Sequence, residues 1–424
     1  MSLLILALAI AALLAIRVPV GLAFLGPSLI YMLTAGNSPG FAMRIAAEGT
    51  ASFPLLAVPL FILLGTLANH AGIADRIFDF ALAILGRVRG SLAYINVASS
   101  VGFAWMSGSA LADSAALGKI MVPTMVKNGF KRDFAIGLTA SSTLISPVMP
   151  PSIPAVIFAS VATVSTGALF AASVLPALLL AAALLITVYI YVRKNSQLQK
   201  TPRSREEIKT ASIRVIGPIL TPVIILGGIL GGIFTPTEAA AIGAVYILIL
   251  GFIYGTLTVK GVLHALRETA VTTASIMLII AAAALLGWVL SREQVPQTLA
   301  DLMTSNISSP IVFLLVVNVL LVILGAFIDA TAVILITVPV LLPIATEFGV
   351  DPVHFGVIMI LNLMIGLLTP PVGSVLFVMS SVLKTPVEQV FKGVAPFLIP
   401  MVAVLLLLTF VPGIVTIVPN LLGF

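Results

Sequence analysis

Long apolar segments separated by short polar loops run through almost the whole sequence. Several exceed the roughly 18 to 20 residues that a helix needs to cross the hydrocarbon core of a bilayer. The apolar–polar alternation typical of membrane strands is absent. The pattern predicts an all-α polytopic membrane protein with apolar segments at roughly 2–36, 53–69, 77–86, 91–127, 134–160, 167–192, 213–234, 239–257, 269–291, 310–346, 353–383 and 394–421.

Two of these segments, 91–127 and 310–346, are too long for one ordinary crossing. Small or polar residues lie near the middle of each, at Ser107-Gly108-Ser109 in the first and at Gly325-Ala326 in the second. We interpret each segment as a re-entrant helical hairpin that enters the membrane and returns to the same side. A single tilted helix with an interfacial tail is the alternative.

Prolines interrupt the apolar segment that follows each predicted hairpin. The first break reads V-M-P-P-S-I around Pro150, and the second reads L-T-P-P-V-G around Pro370. Proline removes a backbone donor and clashes with the preceding turn, so a regular helix cannot continue. Freed carbonyls bind small hard cations, and the N-terminus of a half-helix favours an anion. The breaks therefore predict cation sites flanking an anion site, with simple helix kinking as the alternative.

The two hairpin–break units share an order of features. In each unit an aspartate, Asp113 or Asp329, lies ten residues before a proline, and a Pro-Pro pair follows. The first proline of that pair comes 37 residues after Asp113 and 41 residues after Asp329. Three ordered features at similar spacing indicate a duplicated unit, which we interpret as two inverted repeats.

Asp113 and Asp329 are the acids expected to lie among apolar neighbours, where a carboxylate is costly and usually functional. Each aspartate could coordinate a cation or cap the second arm of its hairpin. Alternatively, each could reach interfacial water from the hairpin stem. A catalytic aspartate pair of an intramembrane protease is a further alternative, although no G-x-G-D sequence occurs.

Composition and charge support a membrane protein and exclude several function classes. The chain is 60% hydrophobic and 8% charged, with no cysteine and a net charge of +6. Seven basic residues lie in the hydrophilic stretch 193–214. The positive-inside rule makes this stretch a cytoplasmic linker between two halves rather than a nucleic-acid patch. No phosphate-binding glycine loop occurs, so uphill work would need an ion gradient or a separate subunit.

The remaining polar motifs are interpreted as structural. Thr235, Pro236 and Glu238 match the N-cap, N1 and N3 positions of a capping box. The three histidines, His70, His264 and His354, are scattered without metal-ligand spacing, so we interpret them as interfacial. The first apolar segment lacks a basic region before it and is interpreted as a retained helix, not a signal peptide.

Four motifs together resemble the large membrane subunit of tripartite ATP-independent periplasmic (TRAP) transporters. They are G-I-F-T-P-T-E-A-A-A, S-G-S-A-L-A-D-S-A-A-L-G, V-M-P-P-S-I-P and G-L-L-T-P-P-V-G, and the resemblance extends over essentially the whole chain. It implies an elevator-type secondary transporter that pairs with a small four-helix membrane subunit. It also implies a periplasmic substrate-binding protein that delivers organic acids such as C4-dicarboxylates or sialic acids, with sodium driving uptake.

The resemblance further implies two or more sodium ions, no organic cofactor, and site residues at the tips and breaks. The family often has glycine where this chain has Ser146, and a carbonyl ligand survives that difference only where φ is negative. Substrate or hairpin residues would be Asp113, Asp329, Ser152 and Gly373. The implied sodium ligands are Ser107, Gly108, Ser109, Ser146, Met149 and Pro150 at the first site, and Gly325, Gly366, Thr369 and Pro370 at the second.

These expectations describe a sodium-coupled importer of a small carboxylate in the bacterial inner membrane, and not an enzyme. Residues 91–160 and 310–383 would form a moving transport domain. Residues 1–90 and 161–309 would form the scaffold, and 384–424 a C-terminal membrane helix. Because the sequence opens directly on an apolar segment, we expect the small subunit to be a separate chain. A stand-alone sodium/dicarboxylate symporter and a passive anion channel are the rival transport functions.

Overall fold

The computed structural model describes residues 3–16, 18–307 and 309–424. All regular structure in these ranges is helical, and no strand occurs there. A 3₁₀ turn at Phe53–Leu56 precedes α4. The α-helices are α1 (Leu3–Ala15), α2 (Val20–Thr34), α3 (Pro39–Thr50), α4 (Ala57–His70), α5 (Ile73–Leu85), α6 (Ser91–Ser107), α7 (Ala110–Lys127), α8 (Arg132–Ser142), α9 (Ile145–Val148), α10 (Ile153–Ala162), α11 (Thr166–Lys194), α12 (Arg205–Arg214), α13 (Ile216–Leu230), α14 (Pro236–Ile253), α15 (Val259–Arg292), α16 (Val295–Asn306), α17 (Pro310–Phe327), α18 (Ala330–Glu347), α19 (Pro352–Gly366), α20 (Ser374–Leu383), α21 (Val387–Phe410) and α22 (Gly413–Leu422).

Nine helical segments within the described ranges are long and apolar enough to cross a membrane. This finding confirms the predicted all-α membrane protein. The segments are Phe53–His70, Arg132–Ala162, Thr166–Lys194, Arg205–Leu230, Pro236–Ile253, Val259–Arg292, Pro310–Phe327, Ala330–Glu347 and Val387–Phe410.

Both long apolar segments are helix–turn–helix units, so the alternative of one tilted helix is wrong. In the first unit α6 ends at Ser107, and Gly108 turns the chain with a left-handed φ of 61° before α7 begins. In the second unit α17 ends at Phe327 and α18 begins at Ala330. The return of each unit to the same side of a membrane stays a prediction.

Each hairpin is followed by a helix that is broken at the predicted prolines. Irregular backbone separates α9 from α10 at the first break and α19 from α20 at the second. The Pro150–Pro151 and Pro370–Pro371 peptide bonds are both cis. In the stretch Arg132–Ala162, 89% of the most apolar window is buried inside the protein. The first break therefore meets the condition that irregular backbone at membrane depth be covered by protein.

The two hairpin–break units have the same spacing over their second arms and breaks. The second hairpin arms, α7 and α18, begin at positions 110 and 330, which are 220 positions apart. The helices that follow them, α8 and α19, begin at 132 and 352, again 220 positions apart. The cis Pro-Pro pairs begin at 150 and 370, which is again a separation of 220 positions. At this separation Asp329 corresponds to Ser109, and Asp113 corresponds to Val333. The predicted equivalence of Asp113 and Asp329 is therefore wrong, because Asp113 lies in the first turn of α7 whereas Asp329 is the N-cap that precedes α18.

The C-terminal part and the linker differ in detail from the predictions. Residues 384–424 contain two helices, α21 and α22, instead of one. The linker contains the helix α12, whose first turn has a capping box formed by Ser204 and Glu207. The predicted capping box of α14 is present, since the Thr235 N–H donates to Glu238 over 2.8 Å and the Glu238 N–H donates to Thr235 Oγ1 over 3.3 Å.

Part of the linker is hydrogen-bonded to the chain just before the first hairpin. The Gly90 N–H donates to the Gln199 carbonyl over 3.1 Å, and the Thr201 N–H donates to the Gly86 carbonyl over 2.8 Å. The hydroxyl groups of Ser91 and Thr201 lie 2.5 Å apart. The linker is thus attached to the base of α6 on both sides of the turn that precedes this helix.

Candidate functional site

The tip of the first hairpin lies against the first break. Ser107, Gly108 and Ser109 form this tip, and a Cβ on Gly108 would lie 3.0 Å from the Pro151 carbonyl oxygen. Gly65 of α4 approaches the same tip, since a Cβ added to Gly65 would lie 3.1 Å from the Ser107 carbonyl oxygen. The tip is therefore enclosed by backbone on two sides, where larger side chains would not fit.

Asp113 is buried beside this tip, with 1% of its surface exposed, so the interfacial interpretation of this residue is wrong. The Ser107 and Ser146 hydroxyl groups lie near its carboxylate. Asp113 Oδ1 and Ser146 Oγ nevertheless make no hydrogen bond of ordinary geometry with any described residue. A buried carboxylate oxygen without a partner is costly, and a cation or a proton would offset that cost.

Ser146 lies within α9 and does not have a positive φ. The serine at this position is therefore compatible with the backbone that a carbonyl ligand requires there. Met149 and Pro150 follow in irregular, fully buried backbone. Ser152 caps α10, because its Oγ accepts the Ala155 N–H over 3.2 Å and its hydroxyl donates to the carbonyl of Pro147.

The backbone of the second hairpin tip is in direct contact with the backbone of the second break. A Cβ on Gly366 would lie 2.6 Å from the Gly325 carbonyl carbon and 3.0 Å from the Ala326 nitrogen. The Val372 and Gly373 N–H groups both donate to the Ala326 carbonyl over 3.1 Å. Gly373 has a φ of 54°, a backbone conformation that favours glycine. The structure therefore brings Gly325, Gly366 and Gly373 together, and the first two amides after the Pro-Pro pair hold the tip.

Thr369 and Pro370 lie at the edge of the second break. Thr369 is half-buried, and its hydroxyl donates to the Ile365 carbonyl over 2.9 Å. The oxygen of that hydroxyl still has lone pairs with which it can coordinate a cation. Pro370 is exposed, unlike the buried Pro150 at the corresponding position of the first break. The second break is therefore the more accessible of the two.

Asp329 is the N-cap of α18, because its Oδ1 accepts the Thr331 N–H over 2.9 Å. Of its possible roles, capping is the one that the hydrogen bonds support. The residue is half-buried and lines a cavity of about 440 Å³ between the hairpin tips. Asp113 is not among the described residues that line this cavity, so the two acids do not face it as a catalytic pair.

The first turns of three helices line this cavity. They begin at Ala110 in α7, Ile153 in α10 and Ala330 in α18, and each has a Ser or Asp side chain as its N-cap. Helix N-termini carry partial positive charge and favour anions. No Lys or Arg occurs among the described lining residues, and Glu268 and Asp329 are the lining acids. Any anion bound here would therefore depend on backbone dipoles for attraction.

The interpretation of the histidines as interfacial is wrong for His354, and His70 and His264 are not scattered but adjacent. His354 is 2% exposed, and its Nε2 lies 2.9 Å from the Leu408 carbonyl oxygen. His70 and His264 lie side by side, with ring centroids 5.4 Å apart. Spacing along the chain could not reveal this pair, since it forms only where α4 packs on α15. Glu268 was likewise not identified from the sequence, because a lone acid on a long helix gives no local signal.

Comparison with known proteins identifies the family to which the chain belongs. Residues 7–414 match the family described as the DctM component of tripartite ATP-independent periplasmic transporters. The sialic acid TRAP transporter large permease protein SiaM of Vibrio cholerae is 44% identical over 409 residues, covering 96% of both chains. The C4-dicarboxylate TRAP transporter large permease protein DctM of Pseudomonas aeruginosa is 40% identical, covering 89% of this chain and 88% of that protein.

A solved structure supports the fold at a greater evolutionary distance. The crystal structure of the Alcanivorax borkumensis YdaH transporter aligns with a TM-score of 0.61 and 15% identity, covering 87% of each chain. This similarity concerns the fold alone. The match to the family over nearly the whole sequence, together with the two permeases above, is sufficient to assign the protein: the chain belongs to the DctM family of TRAP transporter large permeases.

Proposed function

We propose that this chain carries out sodium-coupled uptake of a small organic acid that a periplasmic binding protein delivers. The observation that carries the proposal is a cavity lined by three helix N-termini and placed between two contacts of a hairpin tip with a broken helix. Such N-termini suit a carboxylate, and such breaks suit small cations. The names of the relatives add sialic acid and C4-dicarboxylates as the substrate classes to test first.

In the first proposed sodium site, an ion binds near Asp113 between the first tip and the first break. The support is the unpartnered Asp113 Oδ1 beside the unpartnered Ser146 Oγ, both fully buried. A sodium ion would offset the buried negative charge and would draw on nearby carbonyls of Ser107 to Ser109, Ser146, Met149 and Pro150. Oxygen ligands are the ones that hard cations prefer.

In the second proposed sodium site, an ion binds between Gly325 and the break at Gly366, Thr369 and Pro370. The support is the close backbone approach of Gly325 and Gly366, where a Cβ on Gly366 would clash with the backbone of Gly325. Sodium at both sites would order the two tips and offset the repulsion that Asp329 and Glu268 exert on an anionic substrate. The loaded carrier is then the form best able to move.

For the movement we propose an elevator, with 91–160 and 310–383 as two inverted repeats of a transport domain. The support is the matched spacing of their second arms and breaks. The remaining helices would form a scaffold that a small four-helix membrane subunit extends. The chain would lie in the bacterial inner membrane with residues 193–214 in the cytoplasm, as the basic charge of that stretch favours.

Uptake of labelled sialic acid and succinate into proteoliposomes tests this function. The vesicles hold the chain with its small membrane subunit, under an inward sodium gradient or an equal potassium gradient, with and without the binding protein. Uptake that needs both sodium and the binding protein supports the proposal. Sodium-driven uptake without the binding protein would instead indicate a stand-alone symporter, and flux that is indifferent to sodium would indicate an anion channel.

A further inference from the structure

His70, His264 and Glu268 form a compact cluster where α4 ends and α15 begins. The nearest ligand atoms of these three side chains all lie within 4.8 Å of one another. His70 Nε2 lies 3.9 Å from Glu268 Oε2, and the two imidazole rings meet edge to face with an interplanar angle of 85°. The cluster thus holds two nitrogen ligands and one carboxylate, drawn from two different helices.

Helix geometry explains why the three side chains converge. His264 and Glu268 are four residues apart on α15, so they lie on the same face of that helix. The Thr66 and Thr269 hydroxyl groups lie 3.1 Å apart across the contact between α4 and α15. This hydrogen bond lies within the contact between the two helices, and His70 follows Thr66 by about one turn. The fold therefore presents His70 to the other two ligands without any loop rearrangement.

We propose that His70, His264 and Glu268 bind a divalent late first-row transition metal, with Zn²⁺ as the probe. Imidazole suits zinc, copper and nickel, whereas magnesium and calcium prefer oxygen ligands throughout. Zinc bonds of about 2.0 to 2.2 Å require the ligand atoms to approach to roughly 3.5 Å of one another. His264 and Glu268 are exposed, so their side chains can make that short adjustment without disturbing a packed core.

The position of the site gives metal binding a local electrostatic consequence. Glu268 lines the cavity between the hairpin tips, and no cationic side chain occurs among the described residues of that lining. A divalent ion held by one carboxylate and two neutral imidazoles leaves a net positive charge at the cavity wall. The site itself depends on neither sodium coupling nor transport, so it can be tested separately from the proposed function.

Zinc titration of the purified full chain tests the proposal directly. The affinity tag is removed, because a polyhistidine tag would itself bind zinc, and a chromophoric chelator competes for the ion. We expect one site per chain, weakened by at least about 10- to 100-fold in His264→Asn and in Glu268→Gln, which is the loss typical of perturbing even an outer-shell partner. Glu347→Gln, an exposed acid on α18, is the matched control and should bind as the parent does.

Two further measurements keep the test decisive if a variant folds poorly. Zinc should raise the melting temperature of the parent and of Glu347→Gln, because a ligand that binds the folded state stabilises it. It should not do so for a variant that lacks a ligand. The X-ray absorption spectrum at the zinc edge of the zinc-loaded chain should show the scattering contribution of imidazole ligands. Unchanged affinity in both ligand variants, or equal binding of Mg²⁺ and Zn²⁺ at this site, would overturn the proposal.

Discussion

Substitution of Gly366 by alanine should separate the second hairpin tip from the second break. The added Cβ would lie 2.6 Å from the Gly325 carbonyl carbon and 2.7 Å from its Cα. Both atoms belong to backbone that cannot rotate away, so the tip must withdraw by roughly 0.8 Å to reach an ordinary van der Waals contact. Overpacking of this kind typically costs about 1 to 3 kcal/mol.

That free energy should appear chiefly in sodium binding if Gly325 and Gly366 supply carbonyl ligands. A loss of about 1 to 3 kcal/mol corresponds to an increase of about 5- to 150-fold in the sodium concentration for half-maximal uptake. The assay is initial uptake rate against sodium concentration in proteoliposomes, with the melting temperature of the purified variant measured in parallel. The maximal rate at saturating sodium should fall less than the apparent affinity.

The matched control is Gly287→Ala in the C-terminal part of α15, where no neighbouring atom lies within 4 Å of the added Cβ. This change replaces a poor helix former by a good one, so it should be neutral or stabilising by up to about 1 kcal/mol. If Gly366→Ala retains the parent sodium curve and melting temperature, the close approach of the two glycines is not a site for sodium.

Further substitutions separate the roles of the other polar residues. Asp113→Asn should lower uptake at least about tenfold and weaken its sodium dependence without lowering the melting temperature, because it removes a buried charge whose Oδ1 has no hydrogen-bond partner; normal sodium-dependent uptake would remove this acid from the first site. Thr369→Ala should shift the sodium curve to higher concentration and Thr369→Ser should restore it, since serine keeps the hydroxyl oxygen; equal curves for both would exclude a hydroxyl ligand. Asp329→Ala should lower stability by about 0.5 to 2 kcal/mol through loss of the N-cap, whereas Asp329→Asn should fold normally because asparagine caps equally well. A thermal melt checks that order, and uptake by the asparagine variant then reports on the charge alone. Thr235→Ala should cost about 1 kcal/mol in the same melting assay and leave the sodium curve unchanged, because this residue caps α14 away from the tips.

The interruptions of helices could be predicted from the sequence because each depends on a local property. A Pro-Pro pair removes two successive backbone donors, so the pairs that begin at Pro150 and Pro370 mark the breaks. Single prolines are tolerated inside helices, as Pro123 is in α7. The length of an apolar segment likewise shows that 91–127 needs a turn. The capping box at Thr235 is also local, because its two partners are three residues apart. These features follow from the chain itself and require no knowledge of packing.

The residue-level match of the two halves could not be predicted as reliably. An alignment of the two halves on their aspartates pairs Asp113 with Asp329, because acids are rare in apolar segments and these two are the obvious candidates for equivalent positions. The helix boundaries instead pair Asp329 with Ser109, since both cap the second arm of a hairpin. The shared property is an oxygen that accepts a backbone N–H, and serine and aspartate supply it equally well. Asp113 has no acidic counterpart because Val333 occupies the corresponding position.

Contacts between residues that are far apart in the sequence could not be predicted from the sequence patterns. Gly65 gives no signal of its own, yet it lets α4 approach the carbonyl of Ser107. His70 and His264 are separated by most of the first half of the protein and by the linker. Their proximity depends on the register of α4 against α15, which also places the Thr66 and Thr269 hydroxyl groups 3.1 Å apart. Such a register is set by packing between helices and not by any local motif.

The hydrogen bonds between the linker and the base of α6 connect the linker directly to the first hairpin. Gln199 and Thr201 are bonded to backbone on both sides of the turn that leads into the first hairpin. A displacement of that hairpin must therefore either carry this part of the linker with it or break these bonds. With the linker in the cytoplasm, as proposed, either outcome would turn a movement of the hairpin into a change at the cytoplasmic surface, where other proteins can encounter it.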